Sequence, residues 1–376
     1  MREHRWRFAV SAGHPGLQAL KPSWCRLAEA IPTLDFVQSP DWAQAYLDHL
    51  APSPDDVLWI TAHEGEDLVA VLPVERVMPG GRDLRMHTHP HMTLADVVAQ
   101  PASAQVWPAL WDWLQHDSGL SWDRLVIHKM SADAMLAGWL SQVPLRLALS
   151  SEIDGCAVLD CDRSFESLLK GASANHRSSL NRGLKRAEQM GTLRYATHAD
   201  PQSLNDAMPH FLAVEASGWK GAQGGAVACS AELMAFYDQL ARDLGARGQC
   251  EIDLLWLDDR AIATVFWFRT GGQLHLQKIA YLEELANIGP GKLIMREALM
   301  RACADPTLRG VSFITRCPWA DGWRTEVTPV WTHTLYRESW RGRALHAFRR
   351  YAKKLKGAAK PVIANVLRGF QARKHA

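Results

Sequence analysis

A short glycine-rich loop contains the residue types best suited to bind a phosphate. It reads Ile288-Gly289-Pro290-Gly291-Lys292 and leads from an apolar strand pattern into a helical pattern. The two glycines permit a tight turn and leave no Cβ to obstruct a ligand, while the proline presets φ for the first helical turn. Amides at a helix start lack partners within the helix, and the helix dipole favours an anion there. The loop therefore predicts a pyrophosphate site to which Lys292 adds a positive charge, although such residues also begin helices that bind no ligand.

The run His87-Thr88-His89-Pro90-His91 is a second pattern with chemical capacity. Alternate residues of an extended segment point to the same face, and histidine is the commonest metal ligand. No carboxylate or cysteine lies immediately beside the run to complete a metal site. We therefore predict no metal. We expect His89 and His91 to bind substrate at the lip of a groove between two halves of the chain, because domain junctions favour concave sites.

The elements that must position these residues occur in one order, twice. In each half, helical segments precede three strands, a further helix and a last strand. In the first half the helices are predicted at 22–30, 40–49 and 102–115, and the strands at 57–62, 68–77, 84–88 and 124–128. In the second half the helices are predicted at 165–190, 204–217, 231–244 and 292–304, and the strands at 251–257, 261–269, 274–281 and 310–315. The duplicated order predicts two copies of one α/β unit, joined by the strand-rich passage 145–161.

Three segments of the second half resemble a known family. FLAVEASGWKG (residues 211–221) resembles the Glu…Ser-Gly-Trp-Lys-Gly signature of the GNAT-like acyltransferase family found in bacterial cellulose and exopolysaccharide loci. RSSLNRGLKRAEQMG (177–191) is similar to that family's basic helix, and IGPGKLIMREAL (288–299) is similar to its Pro-Gly loop and helix. The family often has a Tyr-Lys pair after an acidic residue in its last motif, whereas this chain has Asp-Gly-Trp-Arg at 321–324.

The layout of two units is also similar to the Fem-type aminoacyl transferases. These are tandem GNAT pairs that attach amino acids from charged tRNA to peptidoglycan precursors. The two resemblances cover residues 20–336 and imply a GNAT fold in each half. They imply that Ile288, Gly289, Gly291 and Lys292 bind the pyrophosphate of an acyl-CoA, with charged tRNA as the alternative donor.

Acyl transfer to an amine needs a base, a donor to the developing oxyanion and an acid for the leaving group. Glu215 is our candidate base, because partial desolvation beside Trp219 suits a helix carboxylate to proton transfer. Tyr281 is the candidate acid. Lys278 is the candidate group that orients the acyl carbonyl, although strand alternation places it opposite Tyr281. The alternatives are a carboxylate paired with Lys220, a core tyrosine and an edge-strand charge.

Trp219 and Lys220 are the remaining candidates for substrate binding. Trp219 would form a wall of the pocket, and Lys220 would bind a donor phosphate or an anionic group of the substrate. The chain has 16 tryptophans, so the alternative for Trp219 is a place in the core.

The composition bounds the class of protein. With 376 residues and 47% hydrophobic content, the chain is long enough for two globular domains and a tail. Its seven cysteines form no CxxC pair and indicate reduced thiols in the cytosol. No secretory signal pattern precedes the first unit, and the longest apolar stretches fall far short of the roughly 20 residues that cross a bilayer. No GxSxG, GxxxxGK[ST] or HExxH motif occurs, which leaves serine hydrolases, P-loop enzymes and zincins without support.

The charge is divided unevenly along the chain. Residues 337–376 contain twelve Lys or Arg and one Glu, whereas residues 1–336 have a net charge of −9. An acidic body argues against a broad nucleic-acid interface. From Leu345 onward, apolar residues recur every three or four positions among the basic ones, which predicts an amphipathic helix interrupted at Pro361. Such a helix suits an anionic membrane surface, and the alternatives are packing on the acidic body or contact with a tRNA acceptor stem.

Together these observations predict an α/β protein. Its parts are an acceptor-side GNAT-like unit (1–160), a GNAT acyltransferase unit (161–336) and a basic amphipathic tail (337–376). The expected activity is transfer of an acyl group from acyl-CoA to an amine or hydroxyl of a cell-envelope or exopolysaccharide acceptor. The alternatives are a tRNA-dependent Fem-type transferase and a non-catalytic partner of an envelope biosynthesis machine. We expect a cytoplasmic protein that binds peripherally to the inner face of the membrane.

Overall fold

The computed structural model describes residues 5–87, 89–92, 94–100, 105–143, 145–218, 221 and 223–352. The helices are α1 (Gly13–Glu29), α2 (Pro40–His49), α3 (Val106–His116), α4 (Met135–Leu140), α5 (Phe165–Gly171), α6 (Ala174–Met190), α7 (Pro201–Ala216), α8 (Ala231–Gly245) and α9 (Pro290–Ala304). The strands are β1 (Trp6–Ala12), β2 (Val57–Glu64), β3 (Asp67–Arg76), β4 (Asp83–Met86), β5 (Val98–Ala99), β6 (Arg124–Ser131), β7 (Ala148–Asp160), β8 (Leu193–His198), β9 (Cys250–Leu257), β10 (Arg260–Thr270), β11 (Gln273–Tyr281), β12 (Gly310–Ser312) and β13 (Glu326–Tyr336). Residues 340–352 form a further helix, named here the terminal helix.

One mixed sheet runs through both halves of the described chain. Its order is β1-β2-β3-β4-β6-β13-β7-β12-β11-β10-β9-β8, and β5 pairs with β3 at the side. Neighbouring strands are antiparallel except for two pairs, β4 with β6 and β11 with β12. In each half, four strands that are antiparallel to their neighbours are followed by a fifth strand that is parallel to the fourth. This arrangement confirms the predicted mixed α/β class and the duplicated layout.

The halves are joined by an exchange of strands at the centre of the sheet. β7 lies between β12 and β13, and β13 lies between β6 and β7. β7, the last strand of the first half in sequence, therefore pairs with β12 of the second half. β13, the last strand of the second half, pairs with β6 of the first half. Because the sheet is continuous there, a division at residue 160 follows sequence order only and remains our proposal for the unit boundary.

Side chains pack across the two halves on one face of the sheet. Trp42 of α2 meets Phe236 of α8 edge to face, with ring centroids 6.2 Å apart. Near the other end of the same helix pair, His49 Nε2 and Gln239 Oε1 are hydrogen-bonded at 2.7 Å. The opposite face of the second half has its own core, to which α6 and α9 contribute Leu180 and Leu293. This second core supports the site described below.

Several predicted boundaries were wrong for physical reasons. α1 extends on both sides of Pro22, because proline keeps a helical φ and removes only one helical hydrogen bond. The predicted helix 165–190 is two helices, because the Ser173 hydroxyl accepts the His176 amide at 3.2 Å and begins α6. β1, α4, β8 and β13 were not predicted at all. The predicted segments 84–88 and 102–115 reach into positions outside the described residues.

The described helices include none with the length and apolar content that a bilayer crossing would require. The predicted basic tail at 337–376 is described only in its first part. That part contains the terminal helix, as predicted, and residues 353–376 lie outside the described residues.

Candidate active site

A cavity lies where the parallel strands β11 and β12 stop pairing. Their ladder covers only Gln273–His275 and Gly310–Ser312. Beyond it, Ile279, Ala280 and Tyr281 border a cavity of about 420 Å³. The other walls come from α6, the end of α7, the loop that precedes α9 and Trp319.

The predicted phosphate loop forms one wall of this cavity. Gly289 precedes α9 with φ 69° and ψ 56°, a left-handed conformation that glycine adopts without strain. Within the described chain no side chain caps this helix start. The Lys292 amide donates to the Gly289 carbonyl at 2.9 Å, so not every amide of the first turn is available as predicted. The Gly291 amide has no acceptor among the described residues, and Gly291 borders the cavity.

Basic side chains surround the loop. Arg182 and Arg186, one turn apart on α6, both border the cavity. Arg186 donates to the Asn287 carbonyl at 3.1 Å, and Lys292 Nζ donates to Ser179 Oγ at 2.9 Å. Three cations beside an uncapped helix start form an environment that favours phosphate groups.

Glu215 lies deeper in the same cavity. It occupies the last turn of α7, is 1% exposed and accepts the Val227 amide through Oε2 at 2.8 Å. A buried carboxylate held by a backbone amide has a defined orientation. The placement of Glu215 at the cavity wall brings the candidate base to the candidate donor site.

Tyr281 ends β11 at the mouth of the cavity. It is 39% exposed and packs against Gly291, where an added Cβ would lie 3.1 Å from the tyrosine ring. Lys278 lies elsewhere. It pairs in register with Phe266, on the face opposite to the Tyr281 partner Ala263, and its Nζ is 6.0 Å from the centre of the Tyr237 ring. The structure therefore brings Tyr281, but not Lys278, to this cavity.

The two candidate histidines lie on that opposite face, at the junction of the halves. His91 Nδ1 and the Tyr237 hydroxyl are hydrogen-bonded at 2.8 Å, and Gln277 donates to the His91 carbonyl at 2.7 Å. Burial lowers the pKa of His89, and the charges of Arg85, Lys278 and Lys129 lower it further. The described residues hold no group of three or more His, Cys, Asp or Glu suited to a metal ion.

Several residues of this region were not among the predicted site residues, and two predicted residues have no described position. Trp219 and Lys220 lie outside the described residues. Tyr237 was missed because it lies in an ordinary helical pattern of α8. Arg182 and Arg186 had a readable signal, since a spacing of four residues places two cations on one face of a helix.

One protein-family model matches part of the chain. Residues 174–318 match the acetyltransferase (GNAT) domain family, a segment that contains α6, Glu215, β11 and the phosphate loop. No curated protein sequence matches the chain.

Similar solved structures cover most of the chain. The crystal structure of FemX is 12% identical, with a TM-score of 0.54 over 83% of this chain and 95% of that one. The C-terminal domain of a candidate lysylphosphatidylglycerol synthetase from Agrobacterium fabrum is 11% identical, with a TM-score of 0.53 over 87% and 94%. L-PGS from Bacillus licheniformis is 10% identical, with a TM-score of 0.50 over 82% and 95%. At these identities the likeness shows the fold. The match of residues 174–318 to the acetyltransferase (GNAT) domain family indicates that the protein is an acyltransferase enzyme.

Proposed function

We propose that the protein transfers an acyl group from acyl-CoA to an amine or hydroxyl of a cell-envelope or exopolysaccharide acceptor. One observation carries this proposal. The cavity borders a helix start that no described side chain caps, and three basic side chains lie around it. The pyrophosphate of the donor would lie at Gly289, Gly291 and Lys292 beside Ile288. Its acyl arm would extend towards Glu215 along the part of β11 that lies beyond its pairing with β12.

Two side chains in the cavity suit the proton transfers of this reaction. Glu215 would take the proton of the acceptor amine or hydroxyl as the new bond to the acyl carbon forms. Tyr281 would give its proton to the thiolate of CoA as the carbon–sulfur bond breaks. The products are the acylated acceptor and free CoA, and the two side chains exchange their protons with solvent before the next turnover.

The acceptor would approach from the opposite face of β11. Lys278, His89 and His91 lie there, at the junction of the halves, and in this proposal they bind the acceptor rather than the donor. The nature of the acceptor as an envelope or exopolysaccharide component is supported by the sequence resemblance of residues 211–221. One similar structure bears the name of a candidate lysylphosphatidylglycerol synthetase, which makes a lipid acceptor part of the same proposal.

A second candidate donor is aminoacyl-tRNA. The observation in its favour is the basic face of α6, whose exposed residues Arg182, Lys185 and Arg186 continue outward from the cavity. The fold likeness to FemX is consistent with it. An RNA donor predicts binding that weakens steeply with salt and no response to CoA.

Calorimetric titration of the full chain with CoA, acetyl-CoA and longer acyl-CoAs tests the donor. The proposal expects saturable binding at one site, with acyl-chain length changing the affinity. Binding of charged tRNA with no heat from any CoA species would instead establish the second candidate. If neither CoA species nor charged tRNA bound, a non-catalytic partner of envelope biosynthesis would be favoured. Such a partner would still support normal envelope biosynthesis in cells after substitution of Glu215 and Tyr281.

A further inference from the structure

The terminal helix (residues 340–352) presents three aromatic side chains to solvent. Trp340 is 76% exposed, Phe348 is 68% exposed and Tyr351 is 63% exposed. Large aromatic groups are normally buried, and an exposed cluster of them marks a surface that meets another phase or partner. The donor site makes no use of this helix.

The aromatic side chains lie on one side of the helix, away from the body. At 100° per residue, Trp340, Phe348 and Tyr351 fall within an arc of roughly 80°. The helix contacts the body from the other side. Gly342 is buried there, and the His346 ring lies 5.4 Å from that of Tyr336. The side of the helix that contacts the body is therefore roughly opposite the side that carries the aromatic stripe.

Arginines flank the aromatic stripe on both sides. Residues 340–352 contain four arginines, Arg341, Arg343, Arg349 and Arg350, and no acidic residue. All four are exposed, and the Arg341 guanidinium lies 5.3 Å from the centre of the Trp340 ring. An apolar stripe edged by cations is the arrangement of helices that lie in the headgroup region of a membrane.

We propose that the terminal helix docks the enzyme on an anionic phospholipid surface, with Trp340, Phe348 and Tyr351 inserted among the headgroups. Residues 1–336 have a net charge of −9, so an anionic bilayer repels the body and attracts the helix, which orients the molecule. A second copy is a poorer partner, because it would bring the same four positive charges against the stripe. The negative charge of an RNA would complement the four arginines, but the acidic body would repel the rest of the RNA.

Sedimentation of the full chain with vesicles tests this proposal. The vesicles are phosphatidylcholine alone, or equal parts of phosphatidylcholine and phosphatidylglycerol. We expect binding to the mixed vesicles that weakens with added salt, and little binding to the neutral ones. The double substitution Arg343→Gln/Arg350→Gln should lower partitioning roughly 25-fold, at roughly fivefold per arginine. Trp340→Ala/Phe348→Ala should lower partitioning at least about tenfold, because less apolar area is buried among the headgroups. It should leave the melting temperature unchanged, because both rings are exposed.

Matched substitutions on the body serve as controls. Arg26→Gln/Arg242→Gln removes two exposed arginines, and Met78→Ala/Met190→Ala removes two exposed apolar side chains, all far along the sequence from the terminal helix. These should bind vesicles like the wild type. Equal loss in control and helix variants, or no vesicle binding at all, would overturn the proposal. The proposal would also be overturned if the protein bound RNA in a salt-sensitive complex instead of lipid. A dimer that dissociates on Trp340→Ala/Phe348→Ala, without lipid binding, would overturn it too.

Discussion

Gly183 of α6 lies directly against the carbonyl oxygen of Ile288, so closely that a Cβ at position 183 would overlap it. This contact sets the distance between the basic helix and the phosphate loop. It explains why glycine occurs in the middle of a helix, where it usually costs stability relative to alanine. The cavity beside the loop therefore depends on a residue that itself has no functional group.

Substitution Gly183→Ala should push α6 and the loop apart. We expect a loss of about 1–3 kcal/mol in the free energy of unfolding, measured by urea denaturation, together with weaker CoA binding. Gly171→Ala is the matched control, because a Cβ at Gly171 of α5 would meet nothing within 4 Å. The control should retain full affinity and equal or greater stability. Equal behaviour of the two variants would show that the contact does not position the loop.

Substitution Lys292→Gln should weaken donor binding about tenfold, since a charge-assisted contact to phosphate is lost while Gln can still bond to Ser179. Calorimetry at two salt concentrations measures the effect, which should shrink at high salt. Lys185→Gln removes the same charge from α6 at an exposed position outside the cavity lining. An equal loss of affinity in both variants would mean that net charge alone attracts the donor.

Substitution Glu215→Gln should lower kcat by roughly 10²–10⁴-fold and leave the Kd for CoA nearly unchanged, because the amide keeps an acceptor for the Val227 N–H but cannot take a proton. Tyr281→Phe should lower kcat with less effect, since water can reach a half-open site and protonate the thiolate. Steady-state kinetics with a reactive acyl-CoA provides the measurement. Full activity of Glu215→Gln would remove this carboxylate from the mechanism.

Acid stability should depend on His87. This ring is buried against Tyr46 and Trp59, and burial lowers its pKa to about 3. The unfolded chain, with a pKa near 6.5, binds the proton more readily between those values, so His87 contributes stability above pH 6.5 that is lost as pH falls. The slope is at most about 1.4 kcal/mol per pH unit.

His87→Phe should therefore flatten the decline of unfolding free energy between pH 6.5 and 3. Asp96 works in the opposite direction, because burial raises its pKa to about 6 and its native form holds a proton longer. Comparison of the variant with the wild type at each pH removes that shared contribution. Parallel stability curves for the two proteins would show that His87 does not titrate as its burial requires.

The glycine-rich loop at residues 288–292 and the helix that follows it could be predicted because their signals are local. Glycine and proline constrain the backbone at residues 288–292 whatever surrounds them, and the helix found at Pro290–Ala304 follows from that. The hairpins of β9, β10 and β11 were likewise readable from apolar runs with turn residues between them. The order of these elements along the chain was sufficient to predict that they follow the order of elements in the GNAT fold.

Contacts between distant residues could not be predicted in the same way. β13 contains Pro329, which argues against a central strand, yet it lies at the centre of the sheet opposite Gly155 of β7. Its place depends on pairing with two strands that are far away in sequence. The separation of Lys278 from Tyr281 was readable from alternation, but the neighbours of Lys278 were not, because Tyr237 and the histidines reach it only through the folded junction.

Diffraction from crystals soaked with CoA would show where the donor phosphates bind. We predict the pyrophosphate at the start of the Pro290–Ala304 helix, with the Gly291 amide and the Lys292 ammonium as its hydrogen-bond donors and the thiol end near Glu215. Phosphates found anywhere else on the molecule, with the cavity beside β11 left empty by a bound CoA, would contradict this prediction.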